Sequence, residues 1–186
     1  MATGWFQKKE IPGGAVTPKA SVTKAAPPVR PAKTVRISEI LSDKTVLISA
    51  DGVDKNSLLE GLVGILAQKT GMPDAAGILA KVYEREQGIS TTLDTGLSLP
   101  HVRLDGLKDI VAAMAIVPNG IPDPKQSDLT IRVMFLFFSP NKPESFPLHL
   151  QLLRGVSSLF QPAVIDQLVQ APTPEAALAL IKSLEA

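Results

Sequence analysis

From Arg36 onward the apolar positions alternate between helical and strand periods, and before it they show no period. ISEILS (37–42) reads as a short helix, and KTVLISA (44–50), brief and β-branched, reads as a strand. In DKNSLLEGLVGILAQKTG (54–71), Asp54 stands at an N-cap position, Leu58, Leu62, Ile65 and Leu66 share one helical face, and Gly71 supplies a stop. Asp74 caps a second helix through AAGILAKVYERE (75–86), whose Ile78, Leu79, Val82 and Tyr83 form the stripe expected to be buried. DIVAAMAIV (109–117) and LTIRVMFLFF (129–138) are continuous apolar runs of strand length, the pattern of strands buried on both faces. PNGIPDPKQSD (118–128) between them carries turn chemistry. Helical periods then return in LHLQLLRGVSSLF (148–160), PAVIDQLVQ (162–170) and TPEAALALIKSLEA (173–186), the last with Thr173 as N-cap and Pro174 at the first helical position. The pattern predicts a single α/β domain over residues 36–186, a mixed sheet flanked by helices.

Composition separates off the first 35 residues. Prolines stand at 12, 18, 27, 28 and 31, and large apolar residues are nearly absent between Val16 and Val35, so this stretch cannot bury enough surface to offset the entropy of ordering it. A disordered, basic tail is expected over residues 1–35. Residues 1–36 hold seven Lys/Arg against one acid, Glu10; with a formal net charge of +1 on the whole chain, about five net negative charges fall on the remainder. Such a tail suits nucleic acid, a membrane surface or an acidic partner, or serves simply as a solvated leader or linker, and Trp5 and Phe6 are candidate anchors within it. The acidic domain lacks a recognition motif, so nucleic-acid binding is not expected.

The chain contains no cysteine, which excludes disulfides, thiolate metal sites and cysteine nucleophiles. Its apolar runs fall far short of the ~20 residues that span a bilayer, so no membrane insertion and a cytoplasmic location are expected. Phosphate-binding glycine loops and the HExxH zinc motif are absent, and GLSLP places Pro100 where a nucleophile elbow needs glycine. Neither a metal nor a cofactor is expected.

What remains is REQGISTTLDTGLSLPHVR (85–103), which holds one of the two histidines, and His149 at the start of a helix. A neutral imidazole titrates near 6.5, so His101 offers a nucleophilic nitrogen at neutral pH without a separate base. Phosphoryl transfer asks for such a nucleophile together with donors for the equatorial oxygens, and arginine suits the second task through its planar fork. His101 is therefore a candidate acceptor, Arg85 a candidate clamp, and Ser90 and Thr91 candidate hydroxyl donors. His149 is placed to bond the first imidazole or the phosphoryl group if the two sheet ends coincide. Each histidine also admits a plain structural or surface role.

The run from Arg85 to Arg103 resembles the active-site segment of the enzyme IIA domains of the bacterial phosphotransferase system, the mannitol/fructose type that includes nitrogen-regulatory members. Arg85, Glu86, Ser90, Thr91, Gly96, Pro100 and His101 fall in register with that pattern, and the resemblance extends over residues 36–186, with His149 matching the second active-site histidine. It implies a phosphocarrier in which His101 accepts a phosphoryl group from the phosphorylated histidine-containing carrier protein. The group is then passed to an enzyme IIB or held as a signal to a regulatory target, with a regulatory role favoured over sugar transport. Arg85 and His149 would lie beside the phosphorylated ring. Two glycines of the pattern are Thr92 and Asp94 here, and an alanine is Ser98. A carboxylate ~6 Å from a phosphoryl group would repel it by a few kcal/mol at an effective dielectric of about 20, unless it faces solvent. These departures favour the alternative, a regulatory module that keeps the fold and binds a partner without being phosphorylated. Leu97 and Leu99, which flank His101, are candidates for partner surface or for core.

Overall fold

The computed structural model describes residues 35–49, 52–88 and 90–186. The basic leader, its two aromatics and any contact they make lie outside those residues. The chain forms α1 (Ile37–Ile40), β1 (Val46–Ile48), α2 (Lys55–Thr70), α3 (Ala75–Gln87), β2 (Leu97–Ser98), β3 (His101–Leu104), β4 (Val111–Pro122), β5 (Thr130–Pro140), α4 (Phe146–Leu159), α5 (Pro162–Leu168) and α6 (Pro174–Leu184). The caps behave as the sequence dictates. Asp54 accepts the Ser57 N–H at 2.7 Å, Asp74 the Gly77 N–H at 2.8 Å and Thr173 the Ala176 N–H at 3.3 Å. Gly71 ends α2 at φ 65°, a left-handed conformation that costs glycine little.

The sheet is mixed. β1 runs parallel to β4, β4 antiparallel to β5, and both β2 and β3 run parallel to β5 at successive positions along it. Because side chains alternate across a strand, the apolar run of β5 divides between two cores. Val133, Phe135 and Phe137 join Ala112, Met114 and Ile116 under α1, α4, α5 and α6, where Phe160 and Leu152 meet them. Met134, Leu136 and Phe138 join Ala113, Ala115 and Val117 under α2 and α3, where Leu62, Leu66 and Val82 close the other layer. Every residue from Val133 to Phe138 is fully buried, which is why this strand reads as an unbroken apolar stretch.

Two element ends differ from the sequence reading. The turn expected over residues 118–128 begins late, because β4 continues to Pro122. Beyond Ile116 it no longer has β1 beside it, so Pro118 and Pro122 sacrifice no ladder donor on that side. The reversal comes at Asp123, whose Oδ1 accepts the N–H groups of Lys125 and Gln126 at 2.8 and 3.2 Å. Similarly, α4 starts at Phe146 rather than Leu148, since Pro147 in the first turn removes a donor that would have no helical partner. On α2 and α3, Ile65, Leu79 and Tyr83 are only half-buried; Leu59 and Val63 complete the inward face of α2.

The two ends of the described domain are joined by Glu185. Its carboxylate accepts the Ile37 N–H at 2.6 Å and the Ser38 N–H at 2.9 Å, capping α1, which has no cap of its own. Loss of an N-cap acceptor costs about 1 kcal/mol, so Glu185→Ala is expected to lower the unfolding free energy by about that amount in urea titrations. No helix among the described residues is long and apolar enough to cross a membrane.

Candidate functional site

His101 opens β3, opposite Phe137 in the register of the central strand. Its half-buried ring stacks on Phe137, with centroids 5.5 Å apart and planes 15° from parallel. Nδ1 lies 2.9 Å from the Leu99 carbonyl, which can only accept, so Nδ1 carries the proton and Nε2 the lone pair. His149, in the first turn of α4, meets His101 edge-on at 5.3 Å and also packs on Phe137 at 5.2 Å. Its Nδ1 is 2.7 Å from the Ser139 hydroxyl at the end of β5.

A helix start and a strand start thus converge at one sheet edge, and the last turn of α3 completes the wall. Arg85, His101 and His149 line one open cleft of ≈ 480 Å³, together with Lys81, Arg103 and Asn141. Arg103 and Lys81 were not singled out in the sequence, although both could have been. Arg103 follows His101 by two residues on a strand and so shares its face; Lys81 precedes Arg85 by one helical turn. The Arg103 guanidinium lies over the Phe146 ring, 5.1 Å from its centroid, and donates to the Lys142 carbonyl at 2.7 Å. Phe146 and Leu150, one turn apart and both nearly half-exposed, form an apolar rim beside His149.

Burial and nearby positive charge favour the neutral form of both rings. Burial pushes His101 below the ordinary histidine range; the bond to Leu99 opposes this, and Arg85 pushes the same way as burial. Burial, then the neighbouring His101 and Arg103, take His149 down to about 4. A group with a lowered pKa stays unprotonated to more acid pH, so any chemistry needing the free Nε2 of His101 should persist below pH 6.5 and fail only as that ring protonates. The check is the rate of modification at His101 against pH, with the midpoint expected below the ordinary value.

Ser90 and Thr91, expected beside the phosphate, do not line the cleft. The Ser90 hydroxyl donates to Asp123 at 3.2 Å, and the buried Thr91 hydroxyl donates to Glu86 at 2.6 Å. Thr92 is also buried and bonds Asp123. Asp94 is exposed at the tip of a turn from Leu93 to Gly96, closed by the Gly96 N–H on the Leu93 carbonyl at 3.1 Å. Gly96 itself sits at φ 91°, where a side chain would be strained. Leu97 and Leu99 belong to the core, which removes them as partner surface.

This fold and cleft define an α/β sandwich of the enzyme IIA class, with two imidazoles at one sheet edge facing guanidinium groups. Residues 39–184 match the family model of the phosphoenolpyruvate-dependent sugar phosphotransferase system, EIIA 2, and the chain belongs to that family, one of phosphoryl carriers. A nitrogen regulatory protein of Pseudomonas aeruginosa is 26% identical over 152 residues, covering 81% of this chain and 97% of that protein. The fold is shared with the crystal structure of nitrogen regulatory protein IIA-Ntr from Neisseria meningitidis (TM-score 0.68, 22% identity, 78% of this chain and 98% of that one). It is also shared with the Escherichia coli complex of enzyme IIA mannitol and phosphorylated enzyme IIB mannitol (TM-score 0.62, 14% identity, 77% and 97%).

Proposed function

We propose that this chain is a regulatory phosphohistidine carrier, accepting a phosphoryl group on His101 from the phosphorylated histidine-containing carrier protein. The observation that carries this reading is the orientation of the His101 ring, with Nδ1–H committed to Leu99 and Nε2 left as the nucleophile in a cleft that Arg85 and His149 share. In the transfer, the Nε2 lone pair forms a bond to phosphorus while the phosphorus–nitrogen bond of the donor breaks, and the donor imidazole leaves with that electron pair. The Nδ1 proton of His101 stays where it is. Arg85 would hold the equatorial oxygens, and His149 would turn its Nε2 toward them once Ser139 occupies its Nδ1.

Residues 36–186 make up the carrier domain in this reading, with residues 1–35 as an appended basic segment. The carrier protein and, afterwards, an enzyme IIB or a regulatory target would dock on the rim of Phe146 and Leu150. The likeness to nitrogen regulatory relatives favours a signalling role over sugar transport. Thr92 and Asp94, the residues that spoke for a non-phosphorylated module, weigh less because neither lines the cleft. Incubation with the phosphorylated carrier should give an acid-labile phosphate adduct. Absence of label on the folded protein would instead support the binding module.

A further inference from the structure

Behind the cleft lies a buried ionic cluster that phosphoryl transfer does not touch. Lys55, at the start of α2, is almost fully buried and reaches Glu86 at 2.8 Å and Asp123 at 2.9 Å. Asp123 is completely buried and also accepts from Ser90 and Thr92, while Lys125 donates to the Glu86 carbonyl. Glu86 is the neighbour of Arg85 in the last turn of α3, and its other oxygen receives the Thr91 hydroxyl. From Thr91 the connection continues to the nucleophile: the Thr91 carbonyl accepts the Leu99 N–H at 3.0 Å, and the Leu99 carbonyl accepts Nδ1–H of His101 at 2.9 Å.

We infer that Thr91 is a positioning residue: its hydroxyl ties the Leu99 segment between β2 and β3, which orients the His101 ring, to the helix end that carries Arg85, holding imidazole and guanidinium in register. A hydroxyl that would otherwise be read as a phosphate contact is spent on an internal brace. Without it, the direct side-chain link from residue 91 to the end of α3 is lost and the longer route through Asp123, Lys55 and Glu86 remains, so the carbonyl that sets the His101 tautomer loses its shortest reference to Arg85. The kinetic consequence rests on His101 being the phosphoryl acceptor; the structural consequence does not.

Thr91→Val keeps the shape and removes the hydroxyl, and Thr91→Ser restores the hydroxyl. In the full chain labelled with ¹⁵N-histidine, wild type and Thr91→Ser should show a slowly exchanging Nδ1–H resonance for His101 that broadens away in Thr91→Val while the amide spectrum stays folded. The rate constant for phosphoryl transfer should fall about tenfold in Thr91→Val with KM for the carrier protein unchanged, and recover in Thr91→Ser, since small misplacements of reacting groups cost rate rather than binding. A resonance of wild-type width in Thr91→Val overturns the inference, whatever the rate does. A wild type that accepts no phosphate fails the acceptor reading and leaves the resonance to decide the positioning.

Discussion

Replacing His101 by alanine is expected to abolish the acid-labile adduct formed with the phosphorylated carrier, because the neighbouring ring cannot substitute for it. His149 is buried and its Nδ1 is engaged with Ser139. The loss should be complete within detection. Arg85→Ala, which keeps the nucleophile and removes a charge-stabilising donor, should slow labelling by about 10²–10³-fold, the usual effect of deleting one such group. Neither change should unfold the protein, since His101 is half-exposed and Arg85 exposed, and circular dichroism checks this. A labelled His101→Ala protein would move the acceptor elsewhere and end the proposed mechanism.

The second large effect is on stability. Lys55→Ala removes the cation shared by Glu86 and Asp123, leaving two carboxylates with side chains 8% and 0% exposed. Stripping one partner from a buried ion pair costs about 3–5 kcal/mol, a large part of the 5–15 kcal/mol that holds an ordinary domain together. Burial alone would raise the Asp123 carboxyl, but the hydrogen bonds from Thr92, Lys55 and the Lys125 N–H, together with the Lys55 charge, outweigh it and hold the group well below the usual carboxylate range. In wild type this depressed pKa contributes stability that is complete above about pH 4 and is lost as pH falls through the folded value. In Lys55→Ala the buried Asp123 has lost its cation and is better off protonated, so the deficit relative to wild type should shrink in acid. Urea unfolding at neutral and acid pH measures both; a deficit below about 1 kcal/mol at neutral pH would mean that water replaces the lysine.

The candidate site was partly legible in the chain because its chemistry is concentrated in one segment. Arg85 and His101 are sixteen residues apart in one segment, so residue type makes them a candidate clamp and a candidate acceptor, and the resemblance of that segment to the enzyme IIA pattern pairs them. Arg103 was equally available through strand alternation. The buried cluster was not, since Lys55, Glu86 and Asp123 come from two helices and a hairpin separated by 31 and 37 residues, and charged residues on amphipathic helices are normally solvated. Thr91 illustrates the cost of that gap: beside a presumed phosphate loop its hydroxyl reads as a ligand, whereas the fold turns it inward onto Glu86.

By itself the sequence determined the helices, the strands β1, β4 and β5, the caps at Asp54, Asp74 and Thr173, and the burial of β5 on both faces, because these follow from local periods and from hydrogen bonds spanning three or four residues, whereas the short strands β2 and β3 were not read from it. The tertiary structure alone decided that His149 meets His101 over Phe137, that Asp94 faces solvent and that Thr92 is buried on Asp123. Those outcomes depend on which strand lies next to which, and in this sheet both β2 and β3 return to lie along β5, placing residues far apart in the chain within hydrogen-bonding distance.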